Sequence, residues 1–597
     1  MAMEDWRERI QQAFEGVDHL IDGDASNFDV AINSINLSNG DKIELQSSGV
    51  TVIVGANNAG KSTILKESFD LLSHRHYLPA SPRVSVDSLT LQRMGSAADV
   101  IAWLGMNAHF VAQGRDAGFR REDTEMVRPD MVAQAWDSEP NTLGQLSPFL
   151  AFYGNAQGRF NIGGAVEKRE SVEDPPLHPL HYLEDSRSLF GRVNGVSKDV
   201  FGATLTLDPL GRTVKLRVGE IKSEIPRLDE VTSEFRAEMA SLRPLDEQGD
   251  GMRSLMGQLL PVVTGAYRVV ILDEPEAFLH PPQAHALGVE LGKLAIENGV
   301  QILIATHDRA LLTGLLDSQV DVSVVRLARQ EGAPNARRLD AQQLRQLWSD
   351  PVLKYTNVLD GLFHRLVVVA EAEGDCAYLA AALDCQGRGK GPLPLNEVLF
   401  VPTGGKDGMA KVCHALTAVG VPVVVAPDLD MLSDLKKLKL LVESVGGEWT
   451  EELEKAWYTA TGTIRAAREP ASIGHVLDAI NNALQEKRTE VYSTAIKDEV
   501  LAHLRTSGSP WLEVKQHGLS MFKGQEFTAV KVLLEALESV GVVLVREGEL
   551  ERLAPEVEKR KGSGWLPRAL ELKAQCNEAT QAHVDRILDA GRRSLQL

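Results

Sequence analysis

The sequence predicts an α/β protein of two successive domains, on three observations. Val50 to Thr63, VTVIVGANNAGKST, is a β-branched run that breaks into glycine and passes into a helix-forming stretch. Val269 to Glu274 and Gln301 to His307 are short apolar runs, each ending in residues able to carry chemistry. A later series, 366–371, 398–401 and 421–426, alternates with helical stretches. Strands alternating with helices imply mainly parallel sheets, which place ligands beyond the carboxyl ends of their strands. At 597 residues the chain is too long for one core. The expected division is 1–355, with an insertion at about 75–145, then 360–565, with a helical insertion at about 435–510, then a helical tail at 566–597.

The first residues, MAMEDWRERIQQAF, read as a charged amphipathic helix without the apolar centre of a signal peptide. Phe28 to Leu37 and Lys42 to Leu45 flank Ser38-Asn39-Gly40-Asp41, and Asn-Gly between alternating runs predicts a hairpin. Next comes the motif G-x-x-x-x-G-K-[ST], with Gly55, Gly60, Lys61 and Ser62. Its backbone N–H groups wrap phosphate oxygens, its lysine reaches the β/γ-phosphates and its serine holds Mg²⁺. Asn58 and Thr63 complete the expected nucleotide contacts.

Residues 75–145 are mixed and helical in character. Phe149 to Tyr153 returns as a strand and leads to Gln157. PPLHPLHYLEDS is read as a loop, and its histidines, His178 and His181, with His280 farther on, lack ligand-spaced partners for a metal. Ala203 to Leu207 and Val214 to Val218 form a second expected hairpin around Asp208-Pro209-Leu210-Gly211.

Asp273 and Glu274 cap an apolar strand. The first acid is expected to hold Mg²⁺ through water and the second to polarise the attacking water, because phosphoryl transfer is catalysed mainly by positioning and charge stabilisation. His307, at the end of the next strand, is expected at the γ-phosphate. Between them, QGDGMRS places Gly249, Gly251 and Ser254 before an apolar helical run, another anion-facing arrangement.

In the second domain, Glu371 ends a strand with Asp375 four residues on, and Asp428 and Asp430 end another. Hard carboxylate oxygens converging on one place suit Mg²⁺ or Mn²⁺. Val540 to Val545 is a further strand, followed by Glu547-Gly548-Glu549-Leu550-Glu551.

Composition narrows the classes. A net charge of −20 argues against indiscriminate nucleic-acid binding, while a local basic groove or bound metal still permits DNA. Cys376, Cys385, Cys413 and Cys576 show neither a disulfide framework nor a zinc knuckle, so a reducing, cytoplasmic setting is expected. No apolar run is long enough for a bilayer.

LDEPEAFLHPPQ, the ATH at 305–307 and QGDGMRS together resemble the head domain of ABC-type ATPases of the SMC and RecF kind, with departures from the usual L-S-G-G-Q signature. That resemblance implies ATP and Mg²⁺ as cofactors, Gln157 as a Q-loop residue, and a homodimer or higher homo-oligomer in which Gly249, Gly251 and Ser254 complete another copy's ATP site. A transporter role is disfavoured by the long spacing from Lys61 to Asp273. The later acids resemble a Toprim domain, although Ala372 stands where that family usually has glycine. An ABC-type head followed by Toprim is the arrangement of the OLD (overcoming lysogenization defect) family.

The family resemblance implies an ATP-regulated, metal-dependent DNA endonuclease or nickase acting in bacterial antiviral defence against phage, alone or with a partner protein. Its metal ligands would be Glu371, Asp375, Asp428, Asp430 and Glu551, and its mechanism two-metal hydrolysis. Lys559 and Lys561 are expected at the scissile phosphate, with Lys406, Lys515 and Lys523 open as alternatives. The competing reading is an ATP-driven DNA clamp or assembly scaffold with an inactive second domain.

Overall fold

The computed structural model describes residues 5–596 apart from 57, 75–81, 114–115, 122–123, 156–157, 172–173, 175, 225, 227–229, 266, 331–332, 340, 350–356, 387–392, 394, 467–471, 486, 492, 505–509 and 558–563. The chain divides into two compact units, Met1–Tyr355 and Thr356–Leu597. No helix among the described residues is long and apolar enough to cross a membrane.

In the first unit a six-stranded sheet runs in the order Ala333–Leu339, Val322–Gln330, Gly49–Gly55, Gln301–Ala305, Val269–Asp273, Ala151–Gly154. Every pairing is parallel except that of the Ala333–Leu339 edge. The central strands are apolar on both faces and wholly buried, as parallel strands covered on both sides must be. Register matters to the site. Ile53 pairs with Ala305, and Asp273 pairs with Ala305 from the other side, so the glycine loop, the acid pair and His307 leave the sheet at one edge.

The expected first hairpin is present, with Ile35 opposite Ile43. Gly40 turns it at φ +92°, in the left-handed region that glycine enters without a steric penalty. The region expected as an insertion at about 75–145 is instead built into the core. Val86–Met94 pairs antiparallel with Asp29–Leu37, and Trp103 and Trp136 pack on Phe28 at 5.3 and 5.4 Å between ring centroids. Weak periodicity concealed this because a register shift near Val86 breaks the alternation, leaving Val86 and Leu89, three residues apart, as the buried positions of the strand. PPLHPLHYLEDS also differs from expectation, since Pro179–Asp185 is helical. The proline at its first position tolerates the helix start, and His178 Nδ1 caps it by accepting from Leu180 N at 3.2 Å. The second hairpin forms as Leu205–Asp208 against Thr213–Val218.

The second unit centres on three parallel strands in the order Val398–Pro402, Leu366–Ala370, Val423–Val425. Val542 and Val545 extend this layer as single parallel bridges to Val425 and Asp428, rather than as a continuous strand. The described part of 435–504 consists of helices joined by turns and short irregular segments, as expected for the helical insertion. The stretch expected as a separate tail belongs to this core: Val584, Ile587 and Leu588 of the helix Glu578–Gln596 are buried with Val368 and Val424. Cys385 and Cys576 form a disulfide with Cα atoms 5.7 Å apart, against the expectation of a chain without a disulfide framework in a reducing setting. The partners are 191 residues apart in sequence, so no local spacing could have revealed the pair.

Candidate functional sites

The glycine loop joins the buried strand Gly49–Gly55 to the helix Lys61–Leu72. Gly55 is obligatory there, because a Cβ would lie 2.4 Å from Leu327 O. Gly60 caps the helix at φ +98°, leaving the first-turn N–H groups facing the loop. The Lys61 ammonium donates to Gly55 O at 2.9 Å and Ala56 O at 3.2 Å. Burial lowers its pKa, opposed by Glu274, Asp273 and Glu276. Ser62 Oγ donates to Asp273 Oδ1 at 2.9 Å, which brings together two residues separated by most of the unit. Burial raises the Asp273 pKa, and the Ser62 bond partly offsets it. Ser62 and Thr63 are exposed on the first turn, and Asn58 sits in the loop at φ +64°.

Glu274 is half-exposed, with its backbone in the left-handed region at φ +47°. His307 Nδ1 lies 3.2 Å from Glu274 Oε1 and 3.8 Å from Glu276 Oε1. Glu276 was not singled out in the sequence, although it lies in LDEPE. It is buried, accepts from Thr306 Oγ1 at 2.6 Å, and burial holds its carboxyl well above the usual range. The buried acid lies beside the histidine ring and helps to fix its position. Arg159 was also missed; its guanidinium donates to Glu274 O at 2.9 Å.

Gly249 caps the helix Asp250–Thr264. Ser254 is a correction. It is fully buried, with Oγ 3.4 Å from Ala277 O inside its own unit, so its side chain is a packing group and only the backbone around Gly249 and Gly251 is left to meet an anion. Gln157 lies outside the described residues.

In the second unit Glu371, Asp428 and Asp430 each offer a carboxylate oxygen within 4.8 Å of the others. Glu371 ends the central strand and accepts from Asp428 N at 3.2 Å. The Gly404-Gly405 turn folds over the same strand end through Gly405 N to Glu371 O at 2.9 Å. Asp428 accepts from Leu550 N at 3.1 Å through Oδ1 and from Lys515 Nζ at 3.1 Å through Oδ2. Lys515 also reaches Asp430 Oδ2 at 3.4 Å, and Lys406 pairs with Asp430 Oδ1. Asp375 caps its own helix by accepting from Ala372 N at 3.0 Å. The capping bond forms with alanine at the position the family pattern gives to glycine.

Burial, then the Asp428 charge, pushes Glu371 up to about 7 and Asp375 up to about 6. Burial also raises Asp428, and raises Glu551 with help from Glu549, Asp428 and Asp375. Asp428 thus bears on Glu371, Asp375 and Glu551, while only Glu371, Asp428 and Asp430 come together as a group of possible ligands among the described residues. Lys559 and Lys561 lie outside the described residues, and Lys523 is exposed. Lys515 and Lys406 are the lysines placed on the acids. The helix Trp511–His517 comes close because Gly548 has no side chain, and a Cβ there would lie 2.2 Å from Lys515 O.

A hard-oxygen set with this much mutual repulsion fits Mg²⁺ or Mn²⁺. Glu371, Asp428 and Asp430 would hold the ion. Both shifted acids stand above their ordinary values of 4.5 and 3.8, so the folded state binds more protons than the unfolded one up to the raised values. Their contribution to stability is therefore lost as pH rises from about 4 to about 7 in metal-free protein, so the cost is partial at pH 6 and complete at pH 8. A divalent cation competes with those protons and relieves the repulsion. Adding Mg²⁺ is expected to raise the melting temperature more at pH 8 than at pH 6, as measured by scanning fluorimetry. Equal increments at the two pH values would contradict this.

Residues 135–313 match a family model described as an AAA domain, putative AbiEii toxin, Type IV TA system. No curated protein matches the chain. The solved structures similar to it include an SmcHead bound to the C-winged helix domain of ScpA, at 11% identity over 52% of this chain and 99% of that chain, with a TM-score of 0.32. The SMC head domain from Thermotoga maritima matches at 12% identity over 53% of this chain and 99% of that one, TM-score 0.27. CbiO1 from Clostridium perfringens, part of the ABC transporter complex CbiONQ, matches at 14% identity over 53% and 90%, TM-score 0.26. The family match, with the glycine loop and the Ser62–Asp273 contact, defines the class: the first unit is a P-loop ATPase domain.

Proposed function

We propose that this chain is an ATP-binding, ATP-hydrolysing, metal-dependent DNA endonuclease or nickase of OLD type, with an ABC-type head and a Toprim-like second unit. The reading is carried by Glu371, Asp428 and Asp430 converging beyond the ends of parallel strands, with Lys515 and Lys406 on the same carboxylates. A catalytic cation there would supply charge stabilisation at phosphorus and activate water. The protein's own part is to hold the three carboxylates in register, to keep Asp428 fixed between Leu550 N and Lys515, and to offer a lysine to a phosphate oxygen. Lys515 or Lys406, both paired with these carboxylates, would supply that lysine, while Lys559 and Lys561 lie outside the described residues.

In the head, Lys61 and the loop N–H groups would hold the phosphates, and Ser62 and Asp273 the accompanying Mg²⁺. Glu274 is the general base, with His307 beside it. Binding through the backbone at Gly249–Gly251 to ATP on a second copy would make the head a homodimer. A role in antiviral defence, with or without a partner protein, follows from the OLD resemblance.

The test is relaxation of supercoiled plasmid by the purified chain with Mg²⁺ or Mn²⁺, with and without ATP. Nicking that requires the metal and is lost in Asp430→Asn supports the nuclease. Intact plasmid under every condition would favour the ATP-driven clamp or scaffold.

A further inference from the structure

The helix Asp250–Thr264 rests on the turn that carries Glu274 at two points and on Arg159 at a third. At Gly251 a Cβ would lie 2.7 Å from Phe278 O, so helix and turn touch backbone to backbone. One helical turn on, Ser254 Oγ is 3.4 Å from Ala277 O. At Gly257 a Cβ would fall 1.6 Å from Arg159 O, a closeness only glycine permits. Arg159 in turn is 3% exposed and donates from Nη1 to Glu274 O at 2.9 Å.

Glu274 needs such support. Its φ of +47° is unfavourable for a residue with a side chain, and a backbone of this kind persists only where its surroundings hold it. Three bonds hold it: Glu274 N donates to Ala305 O at 2.9 Å, and its carbonyl accepts from Ala277 N at 3.1 Å and from Arg159 Nη1 at 2.9 Å. The first comes from the sheet. The second closes the turn on itself, and the third comes from a cation outside the turn, seated 5.7 Å from the ring centroid of Phe278, which Phe160 meets edge-on at 5.6 Å.

We infer that Arg159 is a positioning residue for Glu274, passing the seating of the helix Asp250–Thr264 to the carboxylate that activates water. Arg159 touches the carbonyl of Glu274 and acts through that residue. The helix begins at Gly249, the end proposed to meet ATP on a second copy, so Arg159 links that contact to the aim of the base. The inference rests on Glu274 being the base of the proposed ATPase site.

The experiment measures ATP turnover by the full chain carrying Arg159→Ala, Arg159→Lys, Glu274→Gln, or Arg159→Ala with Glu274→Gln, together with the affinity for a fluorescent ATP analogue. Arg159→Ala is expected to lower kcat tenfold or more with KM and analogue affinity within twofold. Arg159→Lys, which keeps a donor, should recover part of the turnover and controls for failure to fold. In the double variant the Arg159 change should add no further loss to that of Glu274→Gln, as measured in single-turnover reactions. A wild-type kcat in Arg159→Ala, an effect on KM alone, or losses that multiply in the double variant would overturn the inference. Wild-type turnover in Glu274→Gln would instead overturn the assignment of the base itself.

Discussion

Glu274→Gln is expected to reduce ATP turnover by about two to four orders of magnitude, the range for loss of a positioned general base, while ATP still binds. The substitution keeps the size of the side chain and its place beside His307 Nδ1, 3.2 Å away. It removes the negative charge that would draw a proton from water. The phosphate-binding groups, Lys61 and the loop backbone, are untouched, so affinity for ATP should change little. Steady-state phosphate release, with equilibrium binding of an ATP analogue, checks both halves. A variant that turns over normally would shift the base to another acid, with Glu276 excluded by its burial and its bond to Thr306.

Asp428→Asn should cost DNA cleavage on the order of a hundredfold or more, since charge stabilisation by a bound cation amounts to several kcal/mol. Asparagine preserves the volume and can still accept from Leu550 N, the bond that Oδ1 makes at 3.1 Å. It cannot pair as an ion with Lys515, nor bind a cation with full charge. Because the substitution also removes the charge that raises Glu371 and Asp375, the variant should be no less stable than wild type in metal-free buffer. Cleavage and melting temperature, measured on the same preparation, check the pair of expectations. Loss of cleavage with a large loss of stability would mean that Asp428 is structural.

The parts legible in the sequence are those written in short contiguous runs. GANNAGKST, LDEPE and the ATH after a buried strand each state a strand end and a polar group in a few residues. The sheet then brings their ends to one edge, as parallel topology requires. What stayed hidden depends on contacts across long stretches of chain. Lys515 meets Asp428 from 87 residues away. Its approach depends on Gly548, a glycine visible in the sequence but without any mark of what it admits. Arg159 looks like an ordinary basic residue until the fold turns it under Glu274, and Glu276 looks like one more acid until its burial is known. The helix Glu578–Gln596 was set apart because amphipathic spacing shows that a face is buried but not against what.

Metal-dependent cleavage requires Glu371, Asp428 and Asp430 to form a cation site. The most direct measurement is a titration of Mn²⁺ into nucleotide-free protein, followed by electron paramagnetic resonance, for wild type and for Asp428→Asn with Asp430→Asn. At least one ion should bind to wild type and be lost in the variant. Equal binding by the two proteins, or no ion bound by wild type, would contradict the cation site.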